Sequence, residues 1–306
     1  MSNTLDMTIS QIGSVLLGKE HQIKLALACI LSRGHLLIED LPGMGKTTMA
    51  HAIAKVLNLT YNRIQFTSDL LPADILGVSI FDKETGDFNF HAGPIFSQLV
   101  LADEINRTTP KSQSALLEAM EERQVTIEGK TRPLPDPFFV IATQNPSTQA
   151  GTFPLPESQL DRFLMRIELG YPDAAAERIL LKGENRRAIL DRLEPTMDLA
   201  QLHEAQHEAE QVKVSEALLD YIQRLVQHTR QAPEFAYGLS PRGTLALLAC
   251  ARSWALIDKR SHVVPEDVQA VLPSVVEHRL REVADFSGHG GTALAQRLLT
   301  RVDVIG

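Results

Sequence analysis

Asp40-Leu41-Pro42-Gly43-Met44-Gly45-Lys46-Thr47 joins an apolar run to a helical pattern through two closely spaced glycines. An apolar run at residues 35–39 (HLLIE) precedes it. A helical pattern follows, with Ala50, Ile53, Ala54 and Leu57 at i, i+3, i+4 and i+7. Strand, glycine-rich turn and helix form the context in which a loop cradles phosphate. Gly43 and Gly45 permit a tight turn that aims backbone N–H groups at phosphate oxygens. The helix N-terminus adds the positive end of its dipole. Lys46 is placed to reach the β- and γ-phosphates, and the Thr47 hydroxyl to ligate Mg2+. Pro42, Met44 and Thr48 complete the expected nucleotide contacts. ATP, with ADP as product, and Mg2+ are the ligands this loop implies. The usual pattern begins with glycine, and Asp40 stands there instead, which puts loop geometry rather than phosphate contact at issue.

Outward from this loop, four more apolar runs recur at residues 61–66 (YNRIQF), 98–102 (QLVLA), 138–143 (FFVIAT) and 163–167 (FLMRI). Continuous apolar runs of this length suit strands buried on both faces of a parallel sheet. Thr109 and Pro110 predict a helix start after the third run. Together these predict a doubly wound α/β domain. Residues 78–90, turning at 82–87, and residues 124–134, with Gly129 in the turn, read as two β-hairpins inserted into this rhythm. They are either functional insertions or solvated decoration. After Tyr171-Pro172-Asp173 the strands stop. Residues 174–190, 215–230, 241–260 and 265–284 read as helices, the third apolar nearly all round and therefore buried. The division expected is an α/β nucleotide-binding core at 1–172 and an all-α domain at 173–306.

The second chemical motif is Leu99-Val100-Leu101-Ala102-Asp103-Glu104. A phosphate-loop enzyme needs a carboxylate at the end of a neighbouring strand for its metal, and Asp103 fits. Glu104 is placed to polarise an attacking water.

Composition narrows the class. Of 306 residues, 44% are hydrophobic and 22% charged, the mix of a soluble globular protein. The formal charge of −8 argues against binding driven by phosphate neutralisation of nucleic acid. Cys29 and Cys250 lie in apolar helical stretches and read as small core hydrophobes, not as a disulfide framework or zinc set. No apolar run reaches bilayer-spanning length, and the first residues lack the pattern of a signal peptide, so the expected location is the cytoplasm. His203-Glu204-Ala205-Gln206-His207 matches a zinc-protease pattern, but Glu210 stands where its continuation needs glycine, and the segment is short and polar.

Eight ordered stretches resemble the MoxR family of AAA+ ATPases: EDLPGMGKT (39–47), IQFTSDLLPADILG (64–77), HAGPIF (91–96), ADEINR (102–107), ALLEAMEE (115–122), ATQNP (142–146), LPESQLDRF (155–163) and LSPR (239–242). The resemblance covers nearly the whole chain. It implies that Asn145 is the sensor 1 residue, Arg162 an arginine finger reaching a neighbouring subunit's γ-phosphate, and Arg242 the sensor 2 residue at the start of a lid helix. Arg166, near Arg162, reads more simply as one half of an ion pair. Val15-Leu16-Leu17-Gly18-Lys19 resembles the segment lining the adenine pocket, which makes Gly18 and Lys19 cofactor-binding positions. The hairpins correspond to the family's helix-2 insert and pre-sensor-1 hairpin. The resemblance further implies a homo-oligomeric ring, with a hexamer expected, nucleotide held between core and lid, and a chaperone-like remodeller acting on client proteins, often with a von Willebrand factor A domain partner. A nucleic-acid or metal-chelatase motor and a non-hydrolysing nucleotide switch are the alternative readings.

Overall fold

The computed structural model describes residues 2–84, 86–146, 152–183, 186–283 and 293–305. Helices α1 (Ser2–Val15) and α2 (Glu20–Leu31) lead into β1 (Leu36–Glu39), the phosphate loop and α3 (Lys46–Val56). There follow β2 (Tyr61–Gln65), the short α4 (Pro72–Leu76), β3 (Gly77–Phe81), β4 (Phe88–Ala92), β5 (Leu99–Asp103) and α5 (Pro110–Glu122). The α/β part closes with β6 (Gln124–Ile127), β7 (Lys130–Pro133), β8 (Phe139–Gln144), α6 (Glu157–Leu160) and β9 (Met165–Ile167).

The five apolar runs are the five strands of one parallel sheet, in the order β2-β5-β8-β1-β9. Their continuous apolarity has a direct cause in the two-residue strand period. Leu36, Ile38, Leu99, Leu101, Phe139 and Ile141 enter one apolar cluster. The intervening Leu37, Val100, Ala102, Val140 and Ala142 enter a second cluster on the other face. Burial on both faces keeps polar side chains out of the central strands β1, β5 and β8 until their ends, whereas the edge strand β2 exposes Asn62, Arg63 and Gln65. Thr109 sits at the N-cap of α5 and Pro110 opens it, although the Thr109 hydroxyl makes no capping bond.

Both expected hairpins form, β3 with β4 and β6 with β7, each antiparallel. Thr85, in the first turn, lies outside the described residues. The Arg132 guanidinium of β7 lies 3.8 Å above the Phe90 ring of β4, so a cation–π contact links the two hairpins.

Beyond β9 come α7 (Ala174–Leu181), α8 (Arg186–Arg192), α9 (Leu199–Gln211), α10 (Glu216–Gln231), β10 (Phe235–Tyr237), α11 (Pro241–Ile257), α12 (Pro265–Val276), β11 (Arg281–Glu282) and α13 (Ala293–Arg301). Four corrections to the sequence reading belong here. The single helix expected over 174–190 is two, with Gly183 at φ 81° closing the first; positions 184–185 lie outside the described residues. A helix, α9, stands where no core-facing helix was expected, and its Gln206 is fully buried and donates to the Ile30 carbonyl at 3.0 Å. The region is not all-α, because β10 and β11 pair as an antiparallel ribbon. The helix expected to reach 284 ends at Val276, and position 284 lies outside the described residues. Past that end, Arg279 donates to Asp161 Oδ1 at 2.7 Å and to the carbonyl of Phe163 at 2.7 Å, while His278 Nε2 meets the same carbonyl at 2.9 Å. These tertiary bonds to the chain entering β9 take the place of further helical turns.

The first apolar cluster does not stop at residue 172. It runs from α1, α2 and α3 into α9 through α13. Cys29 and Cys250, both fully buried, belong to it as small apolar residues. Helix α11 is buried along most of its length, but Leu245 is 68% exposed, so it is not buried all round as the sequence suggests.

Candidate functional site

In a parallel sheet all strands end on the same edge, and here that edge collects the chemistry. The phosphate loop follows β1, Asp103 ends β5, and Asn145 follows β8. Gly43 (φ 85°) and Gly45 (φ 94°) hold left-handed conformations that other residues adopt with strain, which explains why the loop needs glycine at these two places. Gly45 is also the N-cap of α3, so the first free N–H groups of that helix open onto the loop.

A cavity of about 290 Å³ lies on this edge. Pro42, Gly43 and Gly45 through Thr48 line one side, and Asp103, Glu104 and Asn145 the other. Met44, expected among the nucleotide contacts, does not line it, because its side chain packs against the first apolar cluster.

Within the cavity the polar groups form one connected network. Lys46 Nζ donates to Asn145 Oδ1 at 2.8 Å and to the carbonyl oxygens of Asp40 and Leu41, the latter at 3.3 Å. Burial pushes the Lys46 ammonium below the usual lysine value, while the carboxylates of Asp40, Asp103, Glu104 and Glu39 oppose that shift. Asn145, buried, donates to Glu104 Oε1 at 3.1 Å. Glu104 adopts a left-handed conformation (φ 57°) unusual for a side chain of its size. Its N–H is held by the Thr143 hydroxyl at 2.9 Å, and that hydroxyl donates to Asp103 Oδ1 at 2.6 Å. One threonine thus fixes both acids.

The sequence reading missed Thr143 and three further groups. Arg63 donates to Asp103 Oδ2 at 3.0 and 2.7 Å, Gln65 to Glu104 Oε2 at 3.0 Å, and Arg107 Nε lies 3.3 Å from the same Glu104 oxygen. The signal was present for the β2 pair. Arg63 and Gln65 are polar residues two apart on a strand, hence on one face, and the register sets Gln65 beside Asp103. Asn106 supports the network from beneath by donating to the Asn145 carbonyl at 3.0 Å.

The donor set fits Mg2+. Thr47 Oγ1 lies 3.4 Å from Asp103 Oδ2, so a hydroxyl and a carboxylate converge. Hard oxygen donors that leave room for phosphate oxygens and water are the Mg2+ pattern, and among the described residues no cluster of three or more His, Cys, Asp or Glu competes with it.

Gly18 and Lys19 do not reach this cavity. They line another, of about 720 Å³, between α1 and residues 257–260. Lys19 is buried and donates to the Tyr171 carbonyl at 2.6 Å. Leu16 of this segment approaches the phosphate loop, lying 3.2 Å from where a Cβ on Gly45 would stand.

Arg162 and Arg242 are brought together, but elsewhere. Arg162 pairs with Glu121 Oε2 at 3.0 Å, and Arg242 pairs with Glu121 Oε1. The hydrogen bond from Arg242, aided by the charge of Arg162, holds the Glu121 carboxyl below its ordinary value. All three line a cavity of about 370 Å³, as do His35 and Arg279. His35 precedes β1 and Arg162 precedes β9, so this cavity sits at the opposite edge of the sheet from the phosphate loop. Arg166 is spent on Glu39 at 3.0 Å and Glu277 at 3.7 Å, the ion pair its position suggested. Among the described residues, none beyond 172 lines the phosphate-loop cavity. His207 is exposed and faces Glu210 at 3.8 Å.

Residues 35–165 match the family described as the ATPase family associated with various cellular activities, and residues 227–298 match an AAA lid domain. The chain is 41% identical over 288 residues to Chaperone MoxR1 of Mycobacterium tuberculosis, covering 91% of this chain and 76% of that protein. It belongs to the MoxR family of AAA+ ATPases. Protein MoxR of Paracoccus denitrificans is 32% identical over 88% of this chain and 86% of its own length. A crystal structure of a presumed ATPase from Cytophaga hutchinsonii superposes with a TM-score of 0.88 at 36% identity, covering 99% of this chain and 95% of the other. Among the described residues of this MoxR-family chain, no helix is long and apolar enough to cross a membrane.

Proposed function

We propose that the chain is an ATP-hydrolysing subunit of a homo-oligomeric ring whose active sites form between neighbouring subunits. The observation that carries this reading is the separation of two half-sites on opposite edges of one sheet. Lys46, Thr47, Asp103, Glu104 and Asn145 share the phosphate-loop cavity. Arg162 and Arg242 share Glu121 at the other edge. A subunit cannot bring its own Arg162 to its own phosphate loop across the sheet, so both arginines act on the nucleotide of a neighbour. A hexamer is the family expectation.

In this mechanism Gly43, Gly45 and the start of α3 bind the phosphates through backbone N–H groups, and Lys46 leaves the carbonyls of Asp40 and Leu41 for phosphate oxygens. Thr47 and Asp103 would hold Mg2+, which would supply charge neutralisation at the phosphates. Glu104 takes the proton of the attacking water. Gln65 and Arg107 occupy one oxygen of Glu104 and Asn145 the other, so Asn145 fixes the base while Gln65 and Arg107 give way. The neighbour's arginines stabilise charge on the transferred phosphoryl group.

On this reading residues 1–172 form the nucleotide-binding core and 173–306 the lid. Hydrolysis moves one against the other, and the linked hairpins carry the motion to a client protein. The relative named Chaperone MoxR1 supports a remodelling role, and the family resemblance suggests a cytoplasmic setting and a partner with a von Willebrand factor A domain. The test is ATPase rate against protein concentration, with oligomer mass measured on the same samples. Specific activity that rises as rings form supports the shared site. Activity independent of concentration and mass, with Arg162→Ala silent, refutes it.

A further inference from the structure

The residue that breaks the phosphate-loop pattern has a structural task. Asp40 has no positive φ, so glycine is not needed there, and its carboxylate reaches out of the loop. Oδ1 accepts the N–H of Leu41 at 2.7 Å. Oδ2 accepts the N–H of Leu169 at 2.8 Å and that of Gly170 at 2.7 Å. These two N–H groups belong to the chain that leaves β9 and enters α7, the single covalent passage from the sheet to the helical region. From the other side Lys19 donates to the carbonyl of Tyr171. This passage has no regular secondary structure, so its backbone groups need side-chain partners, and Asp40 and Lys19 supply them. Gly170 turns there at φ 65°.

The main chain of Asp40 faces the other way. Its carbonyl accepts from Lys46 Nζ, the group expected to meet nucleotide phosphate. One residue therefore touches the phosphate-sensing lysine through its carbonyl and the interdomain passage through its carboxylate. We propose that Asp40 is a positioning residue. With Lys19 it clasps residues 169–171 and couples the state of the phosphate loop to the placement of the helical region. This deepens the reading of the chain as a nucleotide-driven machine and rests on it. When a phosphate draws Lys46 away from the Asp40 carbonyl, the loop shifts and the clasp transmits the shift.

The test combines amide hydrogen exchange with kinetics on the full chain, using Mg2+ and AMP-PNP as the probe. In the wild type, AMP-PNP is expected to change exchange at the amides of Leu169 and Gly170 by about tenfold or more. In Asp40→Ala those amides exchange fast with or without AMP-PNP. AMP-PNP affinity stays within about threefold of wild type while kcat falls about tenfold, a loss in kcat and not in binding. Asp40→Asn keeps an acceptor oxygen and is expected to restore part of both. Lys19→Met, which removes the clasp's other side, reads the same passage should Asp40→Ala fail to fold, and is expected to lower kcat likewise. The proposal is overturned if AMP-PNP binds the wild type without altering these amides. It is also overturned if the variants lose only melting temperature and keep kcat and the nucleotide response. Failure of the wild type to bind AMP-PNP at all overturns the nucleotide reading itself, and the clasp's role falls with it.

Discussion

The two edges of the sheet carry two cavities built on different plans. At the carboxyl edge, Lys46, Thr47, Asp103, Glu104 and Asn145 form a network closed by hydrogen bonds within one chain. At the amino edge, Arg162 and Arg242 converge on one carboxylate, with Arg33, Arg123 and Arg279 around the same cavity. The first gathers backbone N–H groups and the Lys46 ammonium around one cavity, the arrangement that suits an anionic phosphate. The second holds five guanidinium groups against three carboxylates, Glu121, Asp161 and, paired with Arg33, Glu210. An excess of guanidinium at a surface favours an anion brought from outside. The two cavities stand apart by the width of the sheet, and under the proposed function assembly brings the amino edge of one subunit to the carboxyl edge of the next.

Arg162→Ala is expected to lower ATP turnover of the assembled protein by about 10³–10⁵-fold, the range of an arginine finger, while ATP affinity is kept. Glu104→Gln is expected to lose about 10²–10⁴-fold, the range of a general base, again with ATP bound. Phosphate release and nucleotide binding, measured together, check both. Mixing the two inactive variants sharpens the test. A mixed ring contains interfaces where an intact Glu104 meets an intact Arg162, so activity should return. No recovery in rings shown by mass to be mixed would place both residues in one subunit's site.

The amino edge also carries a pH signature. Burial holds His35 near pH 4 instead of its ordinary value of 6.5, with the charge of Arg123 adding to the shift. The neutral ring accepts the N–H of Val140 at Nδ1 and faces the Met120 carbonyl at 3.2 Å through Nε2. The unfolded chain binds this proton first, so the stability it contributes is complete above about pH 6.5. It is lost as pH falls from there toward 4, by about 3 kcal/mol in all. Burial lowers His278 in the same direction. Denaturant midpoints at pH 7 and pH 5 should therefore differ, and His35→Gln should narrow the gap. An unchanged gap would remove His35 from the account.

Glu121→Gln is the smallest expected change. Its carboxylate is partly exposed, so stability should shift by less than about 1 kcal/mol. Turnover of assembled rings should fall by less than about tenfold, because the arginines remain but lose their common anchor. A loss as large as that of Arg162→Ala would make Glu121 a partner in catalysis.

Legibility in the sequence followed the same division. The carboxyl edge was readable because its groups sit at strand ends in contiguous motifs, and a strand end in a parallel sheet has only one place to be. Thr143 lay inside a quoted motif and still escaped, since nothing local says that its hydroxyl bridges Asp103 and Glu104. Asp40 was visible as a departure, but its partners lie 129 and 130 residues away. Gly18 and Lys19 were assigned to the nucleotide by resemblance, and nothing local foretold that they line a second cavity or that Lys19 holds the Tyr171 carbonyl.

By itself the sequence determined the five strands, the phosphate loop, both hairpins and the helical character of the chain after residue 172. These follow from local periodicity and from backbone conformations that few residues tolerate. Tertiary structure alone decided that Arg162 and Arg242 share Glu121 opposite the phosphate loop, that one apolar cluster runs through both parts of the chain, and that Asp40 grips the passage between them. Each depends on which distant segments meet, and that is set by burial of apolar surface over the whole molecule, not by the order of residues nearby.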